Sequence, residues 1–98
     1  GWICGGLSAG PITYSAVDKI VFATDTATAV AKGPLSTVRD FTSGVNDASN
    51  GWIAGGRNPS TVSTIDKIIF ATDTNTAVPK GPLTSTRYGT AGVQNSNN

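Results

Sequence analysis

The sequence predicts an all-β protein, and three observations carry that reading. Thr, Gly, Val and Ile are plentiful while Leu, Gln and Glu are scarce, a balance that favours strands over helices. Apolar residues recur in clusters of strand length, separated by Gly, Pro, Asn and Asp. The chain also restates itself: "DKIVFATDTATAVAKGPLSTVR" (Asp18 to Arg39) aligns without gaps on "DKIIFATDTNTAVPKGPLTSTR" (Asp66 to Arg87).

Each copy is introduced by a hexapeptide, "GWICGG" and then "GWIAGG". Trp2 matches Trp52, and Gly5 and Gly6 match Gly55 and Gly56. An aromatic, a β-branched residue and a small residue before two glycines suit a short buried strand that ends where the backbone turns sharply. Cys4 cannot form an internal disulfide, and Ala54 in its place implies that a small buried apolar residue suffices there. The copies differ in length only in the loop after the glycines, "LSAGPITYSAV" against "RNPSTVSTI", which places that loop at the surface. Residues 1–50 and 51–98 are thus two repeats of 50 and 48 residues, within the range of propeller blades. The run from Arg39 to Asn50 equals that from Arg87 to Asn98, so the chain reads as two whole repeats. Such a phase is expected of a unit that joins copies of itself, or of a window from a longer array.

Four strands are expected per repeat. In the second repeat the first is Trp52 to Gly55. The next lies in "STIDKIIFATD", where Ile65, Ile68, Ile69 and Phe70 cluster. Consecutive apolar residues at Ile68, Ile69 and Phe70 break the two-residue alternation and predict a strand covered on both faces. Thr72 to Thr76 supplies a turn, with Asp and Asn side chains available to nearby backbone groups. "TAVPK" carries Pro79, which cannot donate to a ladder, so this strand is assigned to a sheet edge. The fourth is "RYGTAGVQN" (Arg87 to Asn95), matching "RDFTSGVND", whose small side chains suit a crowded innermost position. Two such sheets side by side leave two apolar faces open. At about 25 cal/mol per Å2, exposing them forfeits several kcal/mol of the roughly 5–15 that stabilise a small domain. Some closure is therefore expected.

Little in the sequence points to chemistry. The net charge is +1, with no basic stripe for nucleic acid or an anionic membrane. No apolar run approaches the roughly 20 residues of a membrane helix, and residues 1–15 do not read as a signal peptide. Asn58 precedes Pro59, which blocks the nearest approach to a glycosylation sequon. There is no histidine, and all six acids are aspartates, so the usual general base and the commonest metal ligand are missing. Asp18/Asp66 and Asp25/Asp73 occur once per repeat, as structural residues do, and are assigned to turns and backbone. "DTATAV" and "DTNTAV" lack the alternating oxygen ligands and glycine of a calcium loop. No helix follows the double glycines, so they form no phosphate loop. Arg39 and Arg87 also repeat, and each is expected to pack its stem between sheets while its guanidinium bonds carbonyls or a neighbouring Asp. No catalytic, cofactor or metal residue is expected. Tyr14, Arg57 and Asn58, in the loops that differ, are the candidates for contact with a ligand or partner.

In their order these elements resemble the kelch repeat of β-propellers. "GWIAGG" looks like its apolar strand with a double glycine, "DKIIFATDTNT" like its second strand and turn, and "GPLTSTR" like the stretch leading into the next blade. Kelch blades usually carry a tryptophan just after the turn, where this chain has Ala29 and Ala77. The Thr/Ser/Asn-rich wording is similar to divergent kelch-like arrays of phage virion and tail-fibre proteins. The resemblance implies strands running outward from the axis as "RYGTAGVQN", "GWIAGG", "IDKIIFATD" and "TAVPK". The chain then opens on the second strand of one blade and closes on the first strand of another. Head-to-tail association would let the Arg87–Asn98 strand complete the blade begun at Gly1 of the next copy. Three or four copies would give a ring of six or eight blades, and a filament would form if the angle did not close. The implied function is structural or adhesive, at a virion or extracellular surface, with glycan or protein as ligand. The alternatives are a ligand-free repeat of a natural or engineered fibre, and a propeller enzyme, which the lack of His and Glu disfavours.

Overall fold

The computed structural model describes residues 1–8 and 12–95. The strands are β1 (Trp2–Ser8), β2 (Ile12–Lys19), β3 (Val30–Lys32), β4 (Ser43–Asn46), β5 (Asn50–Ala54), β6 (Ile65–Ile69) and β7 (Val78–Pro79). They form two antiparallel sheets, one of three strands ordered β1-β2-β3 and one of four ordered β4-β5-β6-β7. No α-helix occurs among the described residues; the regular turns are 3-10 turns at Phe22–Thr24 and Phe70–Thr72. The protein is all-β.

The boundary between sheets does not coincide with the boundary between repeats. β4 belongs to the first repeat, yet it pairs with β5 of the second, in the register Ser43↔Ala54, Gly44↔Ile53, Val45↔Trp52 and Asn46↔Gly51. Asp47 closes that hairpin by accepting the backbone N–H groups of Ser49 and Asn50, both at 2.7 Å. These two bonds hold the Asp47 carboxyl below its ordinary value. β7, with Pro79, lies at a sheet edge, where its missing donor does no harm.

Three expectations are revised. Arg87–Asn95 forms no strand. It lies beside β4 through side-chain contacts instead: Ser43 Oγ and Thr90 Oγ1 are 2.8 Å apart, and Asn46 N donates to Gln94 Oε1. Its backbone is held by isolated bonds, Arg87 N to Val62 O and Gly89 N to Phe41 O, rather than by a ladder, which is why no strand forms. The last residues of the expected Arg87–Asn98 strand, 96–98, lie outside the described residues. Second, β6 stops at Ile69 and a 3-10 turn takes Phe70–Thr72, so the turn begins before Thr72. Third, Ile68 is buried but Ile69 is exposed, so β6 is covered on one face only. In the loop after the first double glycine, 9–11 are likewise outside the described residues.

The core lies between the sheets. Val17, Leu35, Ile68 and Ala77 are buried together, with Trp2, Cys4, Ile53 and Phe70 packed against them. Trp2, Cys4, Val17 and Leu35 come from the first repeat, and Ile53, Ile68, Phe70 and Ala77 from the second. The hydrophobic effect here acts mainly to join one repeat to the other.

Candidate functional site

The most elaborate arrangement of polar groups is the junction between the repeats. Arg39, at the end of the first repeat, is wholly buried, and so is Asp66 on β6 of the second. The local backbone aims Arg39 across. The segment before it runs along β2, with Leu35 N donating to Ser15 O and Arg39 N to Tyr14 O, while Arg39 O accepts Gly6 N. Gly5 is left-handed, at φ 69°, and any side chain on it would collide with the Arg39 carbonyl. This close approach is the physical need behind the first glycine of the pair; Gly6 has open space around it and answers instead to its positive φ of 122°.

From that seat the guanidinium enters the β5–β6 end of the second sheet. Nη1 donates to the carbonyls of Gly55 (3.1 Å) and Thr64 (2.9 Å), and Nη2 donates to Asp66 Oδ2 at 2.7 Å. Asp66 is completed from the first repeat: Ser36 N donates to Oδ2 at 2.9 Å and Ser36 Oγ to Oδ1 at 2.6 Å. Two buried charges are thus paired, and four further bonds surround them, the condition under which burial of an ion pair is tolerated. Farther out, Asp73 of the second repeat meets Lys32 at 3.4 Å and Lys19 at 4.0 Å. Gly33 N donates to Asp73 O and Ala77 N to Pro34 O. Lys19 also lies over the ring of Trp2, which stacks flat on Phe70.

The counterparts of these groups sit on the two outer faces of the pair. Asp18 and Arg87, which match Asp66 and Arg39, are both exposed and neither has a side-chain partner among the described residues. Phe22 and Ile3, matching Phe70 and Ile53, are 76% and 62% exposed. Ile65 and Leu83 are half-buried where their counterparts Val17 and Leu35 are buried, while Trp52 and Ala54 are half-buried as Trp2 and Cys4 are. The backbone seat of Arg87 nevertheless repeats that of Arg39: Leu83 N bonds Ser63 O, Arg87 N bonds Val62 O, and Gly56 N bonds Arg87 O.

The residues of the variable loops lie near one another around Arg39–Asp40. Tyr14 lies not in a loop, as expected, but on β2, where it pairs with Gly6 of β1; it is exposed and offers its carbonyl to Arg39 N. Arg57 exchanges backbone bonds with Asp40 and donates Nε to Asp40 Oδ1 at 3.1 Å. Its guanidinium also lies over Phe41 at 4.7 Å and Tyr88 at 5.3 Å. Arg57 is therefore engaged in tying loops together. Asn58 is exposed, with its N–H donating to Ser60 O. Sequence reasoning missed Phe41, which stands at φ 54°. Its aligned residue Gly89, at φ 67°, was the available signal.

Cys4 is enclosed beside Arg39, and burial pushes its thiol up to about 11, so no thiolate nucleophile is available near neutral pH. A cleft of about 530 Å3 is lined by Trp2, Phe22, Val45, Ile53 and Phe70 among others, with no acidic, basic or thiol side chain in its wall. Among the described residues no three His, Cys, Asp or Glu side chains come together. No family model and no curated protein matches the chain.

Proposed function

We propose that the protein is a non-enzymatic, kelch-like β-propeller unit that completes itself by joining copies head to tail. One observation carries this reading: the outer faces of the pair are the two halves of its own inner junction. The face of the second repeat offers Trp52, Leu83 and Arg87, as the first repeat does inside. The face of the first repeat offers Ile3, Asp18 and Phe22, as the second repeat does inside. Faces that differ from each other but complement each other associate heterologously, and such contacts close into rings when the rotation permits. Three or four copies would give six or eight sheets around an axis. Solution mass by light scattering tests this. A trimer or tetramer is expected, and a chain that stays monomeric at every concentration tested would overturn it.

The same faces favour a second reading, a repeat of an open fibre, which would appear as polydisperse growth. In either form the role is structural or adhesive, and the resemblance to phage virion arrays supports a virion or extracellular setting. Tyr14, exposed on β2 with its hydroxyl 3.5 Å from Ser8 Oγ, and Asn58, in the loop beside Arg57, are the residues offered to a glycan or protein. A glycan array scored for the parent and for a Y14A/N58A variant tests this part, and equal binding by both would remove those residues from any ligand site.

A further inference from the structure

We infer that the seam between copies is closed by a buried charge lock to which each copy contributes half. Arg87 of one copy enters the β1–β2 end of the next and closes on its Asp18. This rests on the head-to-tail reading above and names the residues that would govern it.

The inner junction is the template. Arg39 reaches two carbonyls and one carboxylate, at Gly55, Thr64 and Asp66. The aligned groups are Gly5, Ala16 and Asp18. Ser36, whose N–H and hydroxyl complete Asp66, aligns with Thr84, which offers the same two donors. Every member of the lock therefore exists on one of the two open faces. The charges are complementary, with an exposed Arg on one face and an exposed Asp on the other. Arg87 already sits on a backbone seat bonded like that of Arg39.

Two further features fit a seam at the same place. A Cβ on Gly33 would overlap the backbone carbonyls of Thr74 and Asn75 across the inner junction, whereas one on Gly81 would meet nothing within 4 Å. Gly81 thus keeps a close-approach residue where this chain itself makes no close approach. Val93 is 96% exposed, although its counterpart Val45 pairs with Trp52 in a ladder. Transferring the β4–β5 register places Ala91 opposite Cys4, Gly92 opposite Ile3, Val93 opposite Trp2 and Gln94 opposite Gly1 of the next copy. The first sheet, which has three strands, would gain its fourth in this way.

The test uses the full chain in four forms: parent, R87A, D18A, and an equimolar mixture of the two variants, each followed by sedimentation velocity. Removing one member of a buried ion pair should weaken association by about 100-fold or more. R87A and D18A alone should therefore sediment as monomers at concentrations where the parent is assembled. In the mixture, the D18A copy still offers Arg87 and the R87A copy still offers Asp18, so association is restored above that of either variant alone, beginning with 1:1 pairs. A parent that assembles while both variants assemble equally well overturns the lock but leaves head-to-tail association standing. A mixture that stays monomeric overturns the assignment of Arg87 to Asp18. A monomeric parent overturns the underlying reading as well. G81A provides a check without a charge change. It has room in the chain itself, so it should keep the parent's near-ultraviolet circular dichroism yet fail to assemble, and parent-strength assembly would overturn the seam.

Discussion

Trp2 of the first repeat lies flat on Phe70 of the second, ring centroids 4.2 Å apart and planes 9° from parallel. Lys19 adds its ammonium 5.3 Å from the Trp2 ring. The stack spans the junction, so its loss should loosen one repeat from the other. F70A is expected to cost about 2 kcal/mol, below the figure for a fully buried Phe because Phe70 is half-buried. F22A, its exposed counterpart, should change the fold's stability by less than about 0.5 kcal/mol. Urea denaturation of the two variants at equal concentration checks the contrast, read under conditions where the parent is monomeric.

Arg39 offers a sharper case. R39A would leave the Asp66 carboxylate buried without its cation, which should destabilise the chain by about 3–5 kcal/mol. An R39M/D66N double variant removes both charges and should lose clearly less than the sum of its single variants. The comparison is a double-mutant cycle by denaturant titration. Simple additivity would mean that the 2.7 Å contact contributes no coupling.

Gly33 gives a purely steric prediction. G33A places a methyl group against the Thr74 and Asn75 carbonyls, and backbone atoms cannot swing aside as a side-chain tip can. A loss of about 1–3 kcal/mol is expected, with β3 and the Asp73 turn pushed apart. Hydrogen exchange should show it as faster exchange at the Gly33 and Ala77 amides, which both cross the junction.

Cys4 should be a poor nucleophile in the folded protein. With the thiol pushed up to about 11 by burial, it is almost wholly protonated at pH 8. Alkylation by iodoacetamide should therefore track unfolding, fast in urea and slow in buffer. C4A should be nearly neutral for stability, as Ala54 at the matching site implies.

Asp47 sets a pH dependence. Its carboxyl is held below the ordinary value by the N–H groups of Ser49 and Asn50. A depressed carboxylate contributes stability that is fully present above its unfolded value of about 4 and is lost as pH falls through the lower folded value. D47A should be less stable than the parent at pH 7. The gap should narrow as pH falls below the ordinary carboxylate value of about 4, and thermal melts across that range would show it.

Much of this architecture was legible in the sequence because each repeat writes its strands twice. The Trp-Ile strand of the second repeat, the Pro79 edge strand and the need for a glycine at Gly5 follow from local pattern, whereas β1 runs on through Gly5 and Gly6 to Ser8 because Ile12–Tyr14 pairs with it there. The pairing of Arg39 with Asp66 did not. Each repeat carries one such Arg and one such Asp, and spacing alone does not distinguish a bond within a repeat from one across repeats. Arg87–Asn95 misled for a related reason: its composition matches that of β4, but a strand exists only where a ladder partner does, and composition holds no information about the partner. Ile69 was misassigned because three apolar residues in a row look alike whether or not another sheet covers the second face. Arg57 was singled out by its residue type, while its engagement with Asp40, Phe41 and Tyr88 depends on the fold.

The bracket of Phe41 and Tyr88 around Arg57 has no twin. Aligned positions carry Gly89 in place of Phe41, Asp40 in place of Tyr88 and no Arg in the first loop. Where the second repeat has glycine at a left-handed position, the first keeps an aromatic there, at a conformational cost of about 1 kcal/mol. In the proposed ring such a feature would recur once per copy, on every other sheet and on one rim. A contact too weak to hold any partner singly would then be offered three or four times at fixed spacing, and avidity would supply what one loop cannot.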